Sequence, residues 1–177
     1  MWLFGKQEAA DPHDPEEALQ HRIVRLDGEI TETTAQVAIA QLLFLQHQDA
    51  RRPVTLRVES PGGSVAAGMA VVDTVRELRP RVRTRAPAMA HGIALVVLAS
   101  GRKGERAVGP AAQLTLTPIE NLAGPAADLS HLRQRLAGVI AELCGQHPEA
   151  VAPYLLVRRV LTPGEAVAWG LADRVEA

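Results

Sequence analysis

The sequence predicts an α/β fold in a single domain, on three observations. Val54, Leu56 and Val58 alternate with Thr55, Arg57 and Glu59, the period of a strand, and Ser60-Pro61-Gly62-Gly63 then leads into apolar residues at helical spacing, Val65, Met69, Val72 and Val75. The same order of strand, turn and helix recurs along the chain, which points to mixed layers rather than an all-helical or all-strand protein. Between Gly92 and Ala99 there is almost no polar atom, so this run belongs in the interior as a central buried helix. With 177 residues, 47% of them hydrophobic and 22% charged, the chain is long enough to fill one core.

The elements follow in order. Residues 1–17, with Asp11, Pro12, Asp14, Pro15, Glu16 and Glu17, read as a polar, mobile lead-in to a domain over 18–177, with a short helical turn at Glu16 to Gln20. Ile23 to Leu26 is a strand closed by the turn Asp27-Gly28. Thr31 caps a helix that runs to about Gln48, with Val37, Ala40, Leu43 and Phe44 as its apolar face. After the strand from Val54, Ser64 caps the next helix, which ends near Leu78. Val82 to Ala86 is a further strand, and Val108 and Leu114 to Leu116 mark shorter ones. Asp128 or Ser130 caps an amphipathic helix through Leu132, Leu136, Val139, Ile140 and Leu143 that stops at Gly145.

Several functions are disfavoured by composition. A net charge of -1 supplies no bulk attraction to nucleic acid or to an anionic membrane. The single cysteine, Cys144, rules out an internal disulfide and a cysteine-based zinc site. No apolar run approaches the roughly 20 residues of a membrane span, and Met1-Trp-Leu-Phe-Gly5 is too short for a signal sequence, so a cytoplasmic location is expected. His47, His131 and His147 stand in polar surroundings and read as surface residues. Neither a metal nor a cofactor is expected.

The glycine turn is the first chemical feature. Bare amides at Gly62 and Gly63 beside a helix N-terminus suit an anion or a developing oxyanion, while a tight turn without chemistry is the plain alternative. The surrounding residues are more specific. Ser60-Pro-Gly-Gly-Ser-Val-Ala-Ala-Gly-Met-Ala-Val-Val-Asp-Thr74 resembles the SPGGSVTAGMAIYDT signature of ClpP, the proteolytic subunit of the ATP-dependent Clp protease. In register with it, Ile23-Val-Arg-Leu-Asp-Gly-Glu-Ile30 and Ala40-Gln-Leu-Leu-Phe-Leu45 resemble the first strand and first long helix of that family. Leu98-Ala-Ser-Gly-Arg-Lys-Gly-Glu-Arg106 resembles its LAAGxKGKR segment. Leu161 to Ala166 and Trp169 to Val175 resemble its closing helix and strand. The resemblance covers nearly everything after about residue 20 and implies the ClpP/crotonase-like spiral of ββα units.

It also implies where a catalytic triad belongs, and the residues there are wrong for one. The family's serine opens the buried helix nine residues before the glycine that is Gly101 here, a position occupied by Gly92. Its histidine falls at Thr117, or the neighbouring Leu116, just before Pro118. Its aspartate lies four residues before Thr162, at Arg158. Glycine offers no nucleophile, threonine no base near neutral pH, and a permanently cationic arginine cannot orient a histidine. The oxyanion donors of the family match Gly62, Gly63 and Ile93. A relocated triad from Ser64 or Ser100 with His91 and Asp73 is the alternative for catalysis, although Ser64 reads better as a helix cap.

The resemblance therefore implies a non-catalytic ClpP-like subunit, a pseudoprotease in a homo- or hetero-oligomeric, heptameric ring with ClpP-type subunits, with a Clp ATPase as a further partner. The alternatives are an active ATP-dependent serine endopeptidase with a displaced triad, a crotonase-like acyl-CoA binding protein, and a standalone oligomeric scaffold. The segment Pro118 to Gln146 is about seven residues shorter than the family's handle, which joins one ring to another. The Leu42 to Leu45 run carries more apolar surface than one helix face buries, so a neighbouring subunit is expected to cover part of it.

Overall fold

A computed structural model describes residues 14–118 and 126–176, with the backbone alone at 126–129. Residues 1–13 of the lead-in therefore lie outside the described part. The described part opens on α1 (Pro15–Gln20), which Asp14 caps through its carboxylate, and continues into β1 (Ile23–Asp27).

Two sheets carry the fold. Strands β1, β2 (Val54–Glu59), β3 (Val82–Ala86), β5 (Arg106–Val108) and β8 (Arg174–Val175) lie side by side in that order, all parallel. Parallel neighbours need a crossover, and α2 (Glu32–Gln48) and α3 (Val65–Glu77) supply the first two. A smaller sheet holds β4 (Met89–His91), β6 (Gln113–Leu116) and β7 (Arg159–Leu161), with β4 parallel and β7 antiparallel to β6. An isolated bridge between Ser60 and Ala90 joins the end of β2 to β4, so the sheets meet beside the glycine turn. This is the α/β architecture of ββα units expected from the sequence. Among the described residues no helix is long and apolar enough to cross a membrane.

The central run divides where the strand β4 ends. Gly92 turns the chain into α4 (Ile93–Ala99), all seven residues of which are buried. Burying a leucine such as Leu95 or Leu98 contributes about 2 kcal/mol. Packing here is close enough that a Cβ on Gly68 of α3 would overlap the Ile93 side chain. Thr31 caps α2 as expected, in a reciprocal pair with Thr34.

The apolar face expected for α2 is not the one in the core. Ala35, Ala38, Leu42 and Leu45 are buried, whereas Ala40 is exposed and Val37, Leu43 and Phe44 are 52%, 48% and 49% exposed. The helix is apolar on two sides, so the spacing alone could not say which one faces inward. On α3 the buried side is Ala67, Gly68, Val71, Val72 and Val75, with Val65 and Met69 only half-buried. The helix expected to start at Asp128 or Ser130 is α5 (Ala126–Cys144), so both residues lie inside it and neither is its cap. Gly145 follows in a left-handed conformation (φ +70°), the stop that its sequence position implied. Short elements α6 (Pro148–Val151) and a 3-10 turn (Ala152–Leu155) lead to β7 and α7 (Pro163–Ala168).

At the N-terminal ends of the strands, Arg106 is 2% exposed and fully engaged. Its Nε and Nη2 donate to Asp173 at 2.9 and 2.7 Å, and its Nη1 donates to the carbonyls of Ala99 and Leu143 at 3.2 and 3.1 Å. Asp173 also accepts from the Gly104 and Arg106 amides. A buried charge is tolerated only with such complete pairing. The pair ties the ends of α4 and α5 to β5 and the last turn of the chain.

Candidate functional site

The site forms at the opposite, C-terminal ends of the strands. Ser60 follows β2 and is locked on both sides, its amide donating to the Met89 carbonyl and its carbonyl accepting from the His91 amide at 3.0 Å. Gly62 and Gly63 follow with φ of +100° and +145°, which L side chains resist. A Cβ at Gly62 would stand 2.9 Å from the His91 carbonyl oxygen, and one at Gly63 would press into the Ile30 backbone. The turn is held against that backbone by the Ile30 amide on the Gly62 carbonyl and the Ser64 amide on the Ile30 carbonyl, at 2.8 and 2.7 Å. Both glycines are therefore required by close approach.

Ser64 serves as the cap of α3, its hydroxyl accepting from the Ala67 amide at 3.3 Å. The three expected oxyanion donors differ in availability. The Gly62 amide already donates to the Ser60 hydroxyl at 3.0 Å, so it is engaged within the turn. Gly63 and Ile93 have no acceptor for their amides among the described residues, and Ile93 is the first residue of α4, where helix geometry leaves the amide without an internal partner. Both residues line one cavity of about 440 Å³.

Gly92, Thr117 and Pro118 line the same cavity. Gly92 takes φ +55° and ψ -121° at a sharp strand-to-helix turn, and its amide donates to the Thr115 carbonyl at 2.8 Å. Such a strained turn presents whatever side chain it carries to the space above the sheet. Here it carries none, and the point where a Cβ would begin is held by the Thr117 hydroxyl. The β4–β6 register explains the proximity, because His91 pairs with Thr115 and the next residues of both strands continue side by side. The apolar wall comes from Val65, Val96, Leu136, Ile140 and Leu155. Leu155 had no sequence signal, since the 3-10 turn that presents it lacks a periodic pattern.

Arg158 stands apart. It is exposed, one residue before β7, where the β6–β7 register continued by one step would face it to Thr117. It lines a neighbouring cavity with His91, Thr115, Thr162 and Glu165. Glu165 is the carboxylate there, and it is committed to the α7 cap. It accepts from the Thr162 amide and hydroxyl at 2.8 and 2.9 Å, bonds that hold its pKa below the usual carboxylate range. His91 keeps its Nε2 buried without a hydrogen-bond partner.

No two members of the relocated triad line the same cavity. Ser64 lines the cavity of Gly92, His91 lines the neighbouring one, and Ser100 lines a third at the far end of the sheet with its hydroxyl donating to the Val97 carbonyl at 2.7 Å. Asp73 is exposed on α3 and lines none of the three. Cys144 is buried, and desolvation pushes its thiol up to about 11, out of the range of a nucleophile at neutral pH. Among the described residues no cluster of His, Cys, Asp and Glu could hold a metal ion.

What the cavity offers chemically is two open amides on rigid turns, an apolar wall and the Thr117 hydroxyl. Against known proteins, the family model for Clp protease matches residues 7–177.

Proposed function

Because the chain belongs to the Clp protease family, we propose that it is a non-catalytic subunit of a Clp-type proteolytic core or of a related ring scaffold. Family members work in general as oligomeric rings with Clp ATPases. The observation that carries the reading is Gly92 at the head of α4, with the Thr117 hydroxyl filling the place where a nucleophile's side chain would start. Hydrolysis by this fold needs a side-chain nucleophile, a base and an orienting acid. The cavity has amides to hold a peptide carbonyl at Gly63 and Ile93, but its hydroxyls at Ser64 and Thr117 have no histidine or carboxylate among the lining residues to activate them, so it binds a chain without cutting it.

Ring assembly is favoured by apolar surface on two separate elements. Val37, Leu43 and Phe44 on α2 and Leu156, Val157 and Val160 before and within β7 are all exposed, more than a monomer ordinarily leaves in water. A closed ring of repeated contacts covers both, and the heptamer and the ATPase partner are proposed from the family. The shortened handle includes residues 119–125, outside the described part, and the weak ring-to-ring pairing that it implies rests on sequence length alone.

The test is a fluorogenic peptide assay on pure protein, run beside labelling with a serine-directed covalent probe. No turnover and no labelling are expected. Stoichiometric labelling of any serine, or turnover that the probe abolishes, overturns the reading, and loss of that turnover in Ser64→Ala or Ser100→Ala would assign it to the relocated triad.

A further inference from the structure

The strand ends remote from the candidate site carry a second cavity, of about 430 Å³. It opens between the C-terminal ends of α3, α4 and α5 and is rimmed by Arg76, Arg79, Arg81, Arg102 and Lys103, with Glu142 as its one acid. The sheet register brings these residues together from separate loops. The Val54 amide donates to the Arg81 carbonyl at 3.0 Å, and the Arg102 amide donates to the Val82 carbonyl at 2.7 Å, so the loops before β2, β3 and β5 lie in sequence along one edge. Neighbouring strands stand about 4.8 Å apart, which sets the spacing of the cations. A strand the length of β2 puts this edge about 20 Å from the glycine turn.

Some of the charge is already balanced. Arg76 pairs with Glu142 at 2.5 Å and Arg81 with Glu105 at 3.1 Å, while Arg106 beneath them is neutralised by Asp173. Arg79, Arg102 and Lys103 are exposed and have no carboxylate partner among the described residues. The ordinary role for such cations is to face the negative ends of helices, three of which end here, each worth about half a charge. Three unpaired cations exceed that by more than one charge. The chain as a whole is at -1, so the surplus is a local concentration and not a general property.

We propose that this cavity is a docking site for an acidic segment of a partner protein, with Arg79, Arg102 and Lys103 taking its carboxylates. Its floor is apolar, formed by Val75, Leu78 and Leu143, and suits a hydrophobic side chain between two acidic ones. Guanidinium groups pair carboxylates in two parallel hydrogen bonds. A continuous phosphodiester track fits less well, because Glu105 and Glu142 stand among the cations and would face its phosphates. Carboxylates spaced along a peptide can be placed between them.

The experiment titrates full-length protein into a fluorescein-labelled peptide with one leucine flanked by glutamates and follows anisotropy. Parallel arms use the same peptide with glutamines and a single-stranded oligonucleotide of equal charge. The acidic peptide is expected to bind, to weaken between low salt and about 0.3 M, and to lose about tenfold or more in affinity in Arg79→Gln/Arg102→Gln/Lys103→Gln. Circular dichroism of that variant checks its fold, and Arg51→Gln/Arg52→Gln, outside the cavity, is expected to bind as the parent does. Equal binding of the glutamine peptide, tighter binding of the oligonucleotide, no binding at all, or an unchanged affinity in the folded triple variant each overturns the proposal.

Discussion

The two ends of the five-stranded sheet are built from opposite materials. At the C-terminal ends of the strands the structure relies on backbone, with glycines in positive-φ turns, amides facing a cavity and a threonine hydroxyl where a side chain is missing. At the N-terminal ends it relies on charge, with the buried Arg106–Asp173 pair below and a cationic rim above. A turn made of glycines keeps its shape after the chemistry around it has changed, because its shape never depended on the catalytic side chains. On the proposed reading, hydrolysis is lost while the cavity of about 440 Å³ is kept. The charged end has no such independence at its buried level, since Arg106 and Asp173 each neutralise the other.

The largest effect is expected at the charged end. Asp173→Ala leaves the Arg106 guanidinium, 2% exposed, without a counter-charge, and removing one partner of a buried pair costs about 3–5 kcal/mol. Urea unfolding measures it. Arg158→Ala, at an exposed side chain, is expected to stay within about 0.5 kcal/mol. A small change for Asp173→Ala would show that the two ends are not so differently built.

The same pair sets a pH dependence. Burial alone raises the Asp173 pKa, but the hydrogen bonds and charge of Arg106 outweigh it and hold the carboxyl below its ordinary value. The folded pKa is thus the depressed one, so the contribution to stability is fully present above the unfolded value of about 3.9 and is lost as pH falls through the folded value. Unfolding midpoints from pH 7 down to acid are expected to hold level until near that value and then to drop, with Asp173→Asn dropping less. Parallel curves for the two proteins would locate the acid sensitivity elsewhere.

At the glycine end, Gly63→Ala is expected to cost about 3 kcal/mol, since it combines φ +145° with a Cβ 2.8 Å from the Ile30 nitrogen. Gly104 provides the contrast at the charged end. Its φ is +87° but nothing lies within 4 Å of its Cβ position, so Gly104→Ala pays backbone strain alone, about 1 kcal/mol. Equal losses at the two glycines would mean that close approach to Ile30 adds nothing.

These contrasts mark what sequence could and could not convey. Strands β1, β2 and β3, the Thr31 and Ser64 caps and the buried α4 were legible because period, cap and run length are local properties. The inward face of α2 was not, because Leu42 and Leu45 are buried while Leu43 and Phe44 between them are exposed, and only packing against the sheet chooses. Strands β4 and β7 have three residues each, too short for a period. The engaged state of the Gly62 amide depends on the Ser60 hydroxyl turning back into its own turn, which no spacing encodes. The meeting of Gly92 with Thr117 is set by β4–β6 pairing across a long stretch of chain.

That last contact supports the finest test. Gly92→Ser introduces two costs at once, φ +55° for a residue with a Cβ and an overlap of that Cβ with the Thr117 hydroxyl. The first belongs to the backbone and persists whatever stands at 117. The second belongs to a single side chain and disappears when Thr117→Ala removes it. The double variant is therefore expected to be more stable than the sum of the single changes predicts, by about 1 kcal/mol, measured as a cycle of four urea curves. Neither variant is expected to hydrolyse a fluorogenic peptide, because a serine at 92 still lacks a base and an orienting acid. Additive losses would show that Thr117 does not occupy the vacated space, and turnover by Gly92→Ser alone would show that a base already stands beside it.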